Sequence, residues 1–260
     1  MFIEERHKAI LEIIKENGRI LINEIQEKFN VSPDSARRDL RLLEGRGLVK
    51  RTHGGAIMLQ QVNLGHSMYR DISKDGDLPN YVAIAKKAAQ LIKENDVAYI
   101  TSGSIGFVLL KYLPRDISYT LFVNSIAMAN ELKHWDNVTV YIPGGRVMHN
   151  TEAALSDSYA AAFARNMHFD MCFMSGAGYD AVYGFTNGKD ETDFQLTVIE
   201  NSRKKILLLP NHKIGFKGFI KVCDGDRFDT IITDWDTPED EIAKISEIGI
   251  EVIIANDLEG

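Results

Sequence analysis

Three arginines, Arg37, Arg38 and Arg41, stand close together in this chain, and the stretch Arg37–Arg51 holds six basic residues against only Asp39 and Glu44. A guanidinium can grip a guanine edge with two hydrogen bonds or clamp a phosphate. Ser32 and Ser35 lie just before the cluster and carry hydroxyls able to donate to phosphates or bases. Lys50, Arg51 and His53 follow it, where they would reach a nucleic-acid backbone or minor groove. A second chemistry is spread over the later part of the chain. Ser102-Gly103-Ser104, Asn124-Ser125, Gly144-Gly145-Arg146 and Ser175-Gly176-Ala177-Gly178 are small, polar stretches, each following an apolar run. Glycine lets backbone come close to a ligand, and free N–H groups at helix starts favour anions. Arg146 and Lys213 can supply positive charge for a phosphate.

The arginines need a helix to set them on one face. Ser32-Pro33 is a strong start signal, with serine at the N-cap and proline in the first turn. At about 100° per residue, Ala36, Leu40 and Leu43 form the buried stripe, and the three arginines centre roughly 140° away. Before this helix, Ile3–Asn17 and Asn23–Phe29 read as two more, the first closed by Asn17-Gly18. After it, Leu48–Arg51 and Ala56–Met58 flank Thr52-His53-Gly54-Gly55 as a short β-hairpin. Three helices and a hairpin make a winged helix-turn-helix, and the arginine helix is the one such an order lays in the major groove. The bland alternative is a solvated face in which Arg37 or Arg38 pairs with Asp34 and Arg41 with Asp39 or Glu44. The position of the cluster in the element order favours DNA.

From Tyr81 onward apolar runs alternate with helical patterns. Strands are expected at Val97–Thr101, Thr120–Val123, Val138–Ile142, Met171–Met174, Ile206–Leu209, Thr230–Thr233 and Glu251–Ile254. Helices are expected at Val82–Lys93, Ile105–Leu113, Ile126–Lys133, Ser158–Arg165, Thr192–Asn201 and Pro238–Ser246. Alternation of this kind builds a mainly parallel sheet covered on both faces. The loops at the carboxyl ends of its strands then converge on one crevice, which turns four weak Gly/Ser signals into a candidate pocket. The fold class is α/β: a winged helix-turn-helix over 1–58, a linker over 59–80, with a short helix near Met68-Tyr69, and a mainly parallel, Rossmann-like α/β domain over 81–260.

Bulk properties agree. Apolar residues are 45% and charged residues 26%, ordinary for a globular protein. No apolar run reaches the roughly 18 residues of a membrane span. The N-terminus has acids where a secretory signal has a basic start, and Cys172 and Cys223 match no zinc or redox spacing, so a reducing cytoplasm is expected. The net charge of −7 hides an asymmetry: residues 1–60 hold 11 Lys/Arg against 9 Asp/Glu. A small basic patch on an acidic body suits a protein that touches phosphates with one face.

Val31-Ser32-Pro33-Asp34-Ser35-Ala36-Arg37-Arg38-Asp39-Leu40, then Leu43-Glu44, Gly47-Leu48 and Arg51-Thr52-His53-Gly54-Gly55-Ala56, closely resemble the signature of the DeoR family of bacterial transcription regulators. Leu21 departs from it, standing where the family often has a serine that caps the second helix. The resemblance continues from about Val82 to Asp234 through Thr101–Ser104, Val123-Asn124-Ser125, Gly144-Gly145-Arg146, Gly178-Tyr179-Asp180, Gly184-Phe185-Thr186, Glu191 and Lys213-Ile214-Gly215. It implies a sensor domain that looks like a sugar-phosphate isomerase and binds a phosphorylated effector without turnover. Thr101 and Ala177 stand where the family commonly has Asp, Pro210-Asn211-His212 replaces Asp-Ser-Ser, and Gln195 replaces Lys. The phosphate loops are thus better kept than the acids that would hold sugar hydroxyls.

The expected function is a DNA-binding repressor, homo-oligomeric on a double-stranded operator and controlled by a phosphorylated small molecule, with no cofactor, metal or membrane partner. The alternative is a sugar-phosphate isomerase or deaminase with an appended DNA-binding domain. That chemistry needs a general base, for which Asp180, Glu191 and His212 are the candidates.

Overall fold

The computed structural model describes residues 3–45, 48–52, 54–58, 78–148, 154–188 and 191–256. His53 and nearly all of the expected linker, including the short helix near Met68-Tyr69, lie outside the described residues. The chain divides into two compact units, Met1–Gln61 and Val62–Gly260.

In the first unit, α1 (Ile3–Asn17) ends at Gly18, whose φ of 74° turns the chain into β1 (Arg19–Leu21). Helix α2 (Ile22–Phe29) closes on Asn30 in the left-handed region, and α3 (Pro33–Gly45) follows. Strands β2 (Val49–Arg51) and β3 (Gly55–Met58) complete an antiparallel sheet in the order β1-β3-β2. The hairpin is as expected, but β1 was not read from the sequence. It is three residues long with Ile20 alone buried, too short for a period to register. Ile10, Ile14, Ile20, Ile25, Leu40 and Leu43 form the centre of this unit's core. Leu21 has no hydroxyl to cap α2; instead Glu24 Oε2 accepts from the Leu21 N–H at 2.7 Å, one half of a capping box.

The second unit alternates strands and helices: α4 (Pro79–Ala89), β4 (Val97–Ile100), α5 (Ser104–Leu110), β5 (Tyr119–Val123), α6 (Ile126–Leu132), β6 (Val138–Tyr141), α7 (Ser158–Ala164) and β7 (Phe169–Met174). It continues with β8 (Gly178–Asp180), β9 (Gly184–Asn187), α8 (Thr192–Glu200), β10 (Ser202–Leu208), β11 (Ile220–Cys223), β12 (Thr230–Asp234), α9 (Glu239–Glu247) and β13 (Glu251–Ala255). Seven strands form one sheet in the order β13-β12-β10-β7-β4-β5-β6, and every neighbouring pair is parallel. Helices α4, α5 and α6 cover one face, packing Ile84, Leu109 and Leu132 on Ile100 and Leu121. Helices α7, α8 and α9 cover the other, where Phe194 and Ile245 meet Tyr99, Phe122 and Ile231. The sheet is buried on both sides, as its near-continuous apolar strands require.

A small antiparallel sheet, β11-β9-β8, was not expected. Its strands are only three or four residues long, and β8 and β9 each begin with glycine and end on a polar residue, so no period marks them.

In this seven-stranded order, chain direction across the sheet reverses between β4 and β7. At that point the loops leaving two adjacent strands diverge to opposite faces and leave a crevice between them.

Candidate nucleic-acid interface and effector crevice

Helix α3 buries Ala36, Leu40 and Leu43 and exposes Arg37, Arg38 and Arg41. The bland pairing holds for one of the three: Arg37 Nη1 lies 3.3 Å from Asp34 Oδ1, with both side chains largely in solvent. Among the described residues, Arg38 and Arg41 have no carboxylate partner. Ser32 Oγ accepts from the Ser35 N–H at 3.3 Å and donates to Ser35 Oγ at 3.0 Å, so it caps the helix. Arg51 is partly engaged, its N–H donating to Glu44 Oε1 at 3.0 Å and its guanidinium 3.7 Å from Oε2. Lys50 is exposed on β2.

Asp39 does not pair with Arg41, as the bland reading had it. It is 1% exposed, and Arg6 of α1 holds it through Nε–Oδ2 at 2.7 Å and Nη2–Oδ1 at 3.1 Å. His7 Nε2 lies 3.0 Å from Oδ1 on the same carboxylate. Position 39 is three residues after Ala36 and four before Leu43, which places it in the buried stripe and turns it towards α1. This cluster, which no local pattern marks, ties α3 to α1 on the same side as the apolar stripe.

The crevice lies at the carboxyl ends of β4, β5 and β7. Thr101, Ser102 and Ser104 follow β4 and are buried, with Gly103 partly so, and Asn124 follows β5 at 2% exposure. Tyr99, on β4, donates its hydroxyl to Asn124 Oδ1 at 3.0 Å. Burial holds this phenol well above its ordinary pKa, and the Glu191 carboxylate adds to the shift. The chain after β10 enters a short 3-10 turn, Asn211–Lys213, that returns Lys213 to the switch point. There its ammonium donates to the Gly176 carbonyl, just past β7, at 2.8 Å. Burial pushes Lys213 down to about 8, and among the described residues no carboxylate pairs with it. A half-buried cation held by a carbonyl dipole has the chemistry to receive an anion.

The other expected residues take different places. Ser125 is fully buried and accepts from the Met128 N–H at 3.2 Å, the N-cap of α6. Gly144, Gly145 and Arg146 are exposed. Gly145 has φ 133°, and a side chain there would strike the Asp157 carboxylate. Asp157 accepts from the Arg146 N–H at 2.8 Å and from the Tyr159 and Ala160 N–H groups at the start of α7. The Arg146 N–H, more than any other contact, holds this carboxyl below its usual range. Gly178 begins β8 beneath the Phe216 backbone, so Gly176 rather than Gly178 faces Lys213.

Of the candidate bases, Asp180 accepts from the Val182 and Tyr183 N–H groups and lies 3.5 Å from Lys217. His212 is exposed. One residue beside the crevice went unnoticed. Asp234, at the end of β12, is fully buried and accepts from the Asn211 N–H at 2.8 Å and Asn80 Nδ2 at 3.2 Å. It ties the turn bearing Lys213 to the first turn of α4. Burial raises its pKa. An acid ending an apolar strand was the available signal.

Two family descriptions match this chain: a DeoR-like helix-turn-helix domain over residues 6–62 and a DeoR C terminal sensor domain over residues 81–235. It is 30% identical over 260 residues to the HTH-type transcriptional regulator GolR of Listeria innocua, covering 98% of this chain and 100% of that one. It is 27% identical to the HTH-type transcriptional regulator GlpR of Haloferax volcanii, covering 97% and 98% of the two chains. A solved structure, the probable sor operon regulator from Shigella flexneri, aligns with a TM-score of 0.43 at 11% identity, over 70% of this chain and 98% of that one. No described helix is long and apolar enough to cross a membrane. With a helix-turn-helix that presents arginines and a parallel-sheet domain built around a switch-point crevice, the chain belongs to the DeoR family of transcription regulators.

Proposed function

We propose that the chain is a repressor, acting in the cytoplasm, whose affinity for a double-stranded operator is controlled by a phosphorylated metabolite in the switch-point crevice. The observation that carries the effector's chemistry is the Lys213 ammonium, drawn to the Gly176 carbonyl and lacking a carboxylate partner among the described residues. Ser102, Gly103, Ser104 and Asn124 line the same strand ends and supply the small, polar surroundings a phosphate needs. Carboxylates that would grip sugar hydroxyls are missing at Thr101 and Ala177, so selection among common hexose and pentose phosphates is weak. The effector is therefore phosphorylated but is not one of those sugars.

The crevice binds without turning its ligand over. Asp180 is held by the Val182 and Tyr183 N–H groups and Lys217, and Asp234 by the Asn211 N–H and Asn80 Nδ2. Desolvation and Lys213 lower the His212 imidazole to about 4, which makes it a weak base, and Glu191 is the expected base whose charge reaches Tyr99. A general base must lie within hydrogen-bond reach of the proton it takes. The protein works as a homo-oligomer, because one short arginine helix covers too few base pairs for useful specificity. A thermal-shift screen of phosphorylated metabolites, with operator binding followed by anisotropy, tests the reading. Stabilisation by a phosphorylated compound that also changes operator affinity supports it. Turnover of a sugar phosphate, or tight binding of an uncharged sugar, would overturn it.

A further inference from the structure

Strand β6 is the last strand of the seven-stranded sheet, and its two faces differ. Val138 and Val140 pack against the core beneath α4, α5 and α6, while Thr139 and Tyr141 on the other side are exposed. Tyr141 pairs in register with Phe122 of β5. Register partners in a parallel sheet point to the same side, and Phe122 stacks on Phe163 of α7 with centroids 6.1 Å apart. Tyr159 lies one helical turn before Phe163. Tyr141, Phe163 and Tyr159 thus belong to one aromatic face, and they are 48%, 42% and 76% exposed. Helix α7, Ser158–Ala164, contains no charged residue, and neither does Val138–Gly145, in a chain that is 26% charged.

We propose that this face, Thr139 and Tyr141 on β6 with Tyr159 and Phe163 on α7, is where a second copy of the chain docks. The proposal rests on the oligomeric reading above and names its surface. Among the described residues, the exposed side chains of this face are uncharged and mostly aromatic, with Arg146 and Asp157 at its rim, and an aromatic centre with a polar rim has the composition of an interface. An uncharged face offers nothing to a charged partner, which would lose hydration without gaining a counter-ion. It is complementary to itself, as a two-fold contact demands. The far edge of the sheet cannot serve in the same way. Beside β13, helix α9 carries Glu239, Asp240, Glu241 and Glu247 against Lys244, so two copies meeting there would bring acids together. For a chain of net charge −7, the uncharged edge is where repulsion between copies is least. Natural edge strands are usually guarded by Lys or Pro, and β6 has neither.

The test is sedimentation velocity on the full chain at micromolar concentration. Tyr159→Arg is the main variant, because so exposed a side chain carries little of the fold. Thr139→Lys is the second, and Val182→Arg, at an exposed apolar residue between β8 and β9, is the control. The native chain is expected to be a dimer or a higher oligomer. Tyr159→Arg and Thr139→Lys should each halve its mass with an unchanged circular dichroism spectrum, and Val182→Arg should leave the mass alone. A native oligomer whose mass survives both substitutions would overturn this surface while leaving the oligomeric reading intact. So would dissociation by Val182→Arg as well. A monomeric native chain would overturn both.

Discussion

Arg6 grips Asp39 with two nitrogens, at 2.7 and 3.1 Å, across the interface between the first and third helices. The carboxylate is 1% exposed and the guanidinium 12%. The pairing keeps Arg6 protonated, its pKa raised chiefly by the hydrogen bond to Asp39. Removing Arg6 leaves the buried Asp39 with His7 in place of a two-pronged guanidinium, so the cost should approach the lower end of the range of about 3–5 kcal/mol for breaking a buried pair. Arg6→Ala is therefore expected to unfold the N-terminal unit at markedly lower denaturant than wild type. Arg6→Lys should recover only part of the loss, since an ammonium cannot reproduce the fork. Urea titrations followed by circular dichroism measure this, and an unchanged midpoint for Arg6→Ala would refute it.

On the recognition helix the expected pattern is the reverse. Arg38→Ala and Arg41→Ala remove exposed side chains that lie off the buried stripe, so stability should stay within about 0.5 kcal/mol of wild type. Operator binding should weaken by about 1–3 kcal/mol for a residue reading a guanine edge, with loss of preference at that base. A residue on phosphate should instead weaken all sequences alike and flatten the salt dependence. Anisotropy titrations over a range of salt separate the two, and native affinity in both variants would remove α3 from the groove.

Lys213 gives the effector site a pH dependence whose sign is fixed. Its pKa is about 8 in the folded chain, well below the ordinary lysine value, so it is protonated below pH 8 and loses its charge above it. A phosphate's second ionisation lies near 6, so the ligand's charge is constant from pH 7.5 upward. Affinity for a phosphorylated effector should be flat near pH 7 and fall as pH rises through about 8. Lys213→Ala should weaken binding at every pH and abolish that fall, leaving operator binding by the free protein unchanged. Calorimetric titration at pH 7 and pH 9 measures both, and equal wild-type affinities would exclude the ammonium as the anion's partner.

Folding stability carries the same shift with its own sign. The depressed pKa means that burying the charged form costs stability, and this cost is present below pH 8. It is relieved as pH rises from about 8 towards the ordinary lysine value. The Lys213→Met variant, free of that cost, should gain stability over wild type at pH 7 and lose the advantage by about pH 10. Denaturation midpoints at the two pH values test this.

The first turn of α5 is set by a close approach at Gly106. A side chain there would overlap the carbonyl of Thr101, at the end of β4, with Ile100 behind it. Gly106→Ala is expected to push the Ser102–Ser104 loop away from the strand end. Effector binding should be lost while the N-terminal unit keeps its operator affinity. Equal thermal stabilisation of Gly106→Ala and wild type by the same phosphorylated compound would show that the loop tolerates the displacement.

Much of the architecture was legible because it rests on repetition. The spacing of Ala36, Leu40 and Leu43 gives the buried stripe of α3 and therefore the arginine face. The apolar runs beginning near Val97, Thr120, Val138 and Thr230 become strands within a residue of where they were read. Strands β7 and β10 begin earlier than their apolar runs, at Phe169 and Ser202, because their first turns alternate with polar residues such as Asp170 and Lys204. Of the antiparallel trio, β8 and β9 are too short for a period to register, and β11 pairs with β9 from more than thirty residues away.

Residue types and local spacing determined that this chain pairs a helix-turn-helix with a parallel α/β domain, and that small polar loops follow its strands. Those are properties of segments, fixed by period, capping and turn chemistry. Tertiary structure decided which polar residue does what. Asp39 looked like a surface partner for Arg41 until α1 brought Arg6 and His7 to it. Ser125 caps α6, a role its place after an apolar run does not reveal, whereas Lys213, isolated from any motif of basic residues, reaches Gly176 at the switch point. A side chain's role depends on the groups that surround it, and most of those arrive from parts of the chain that no local pattern connects.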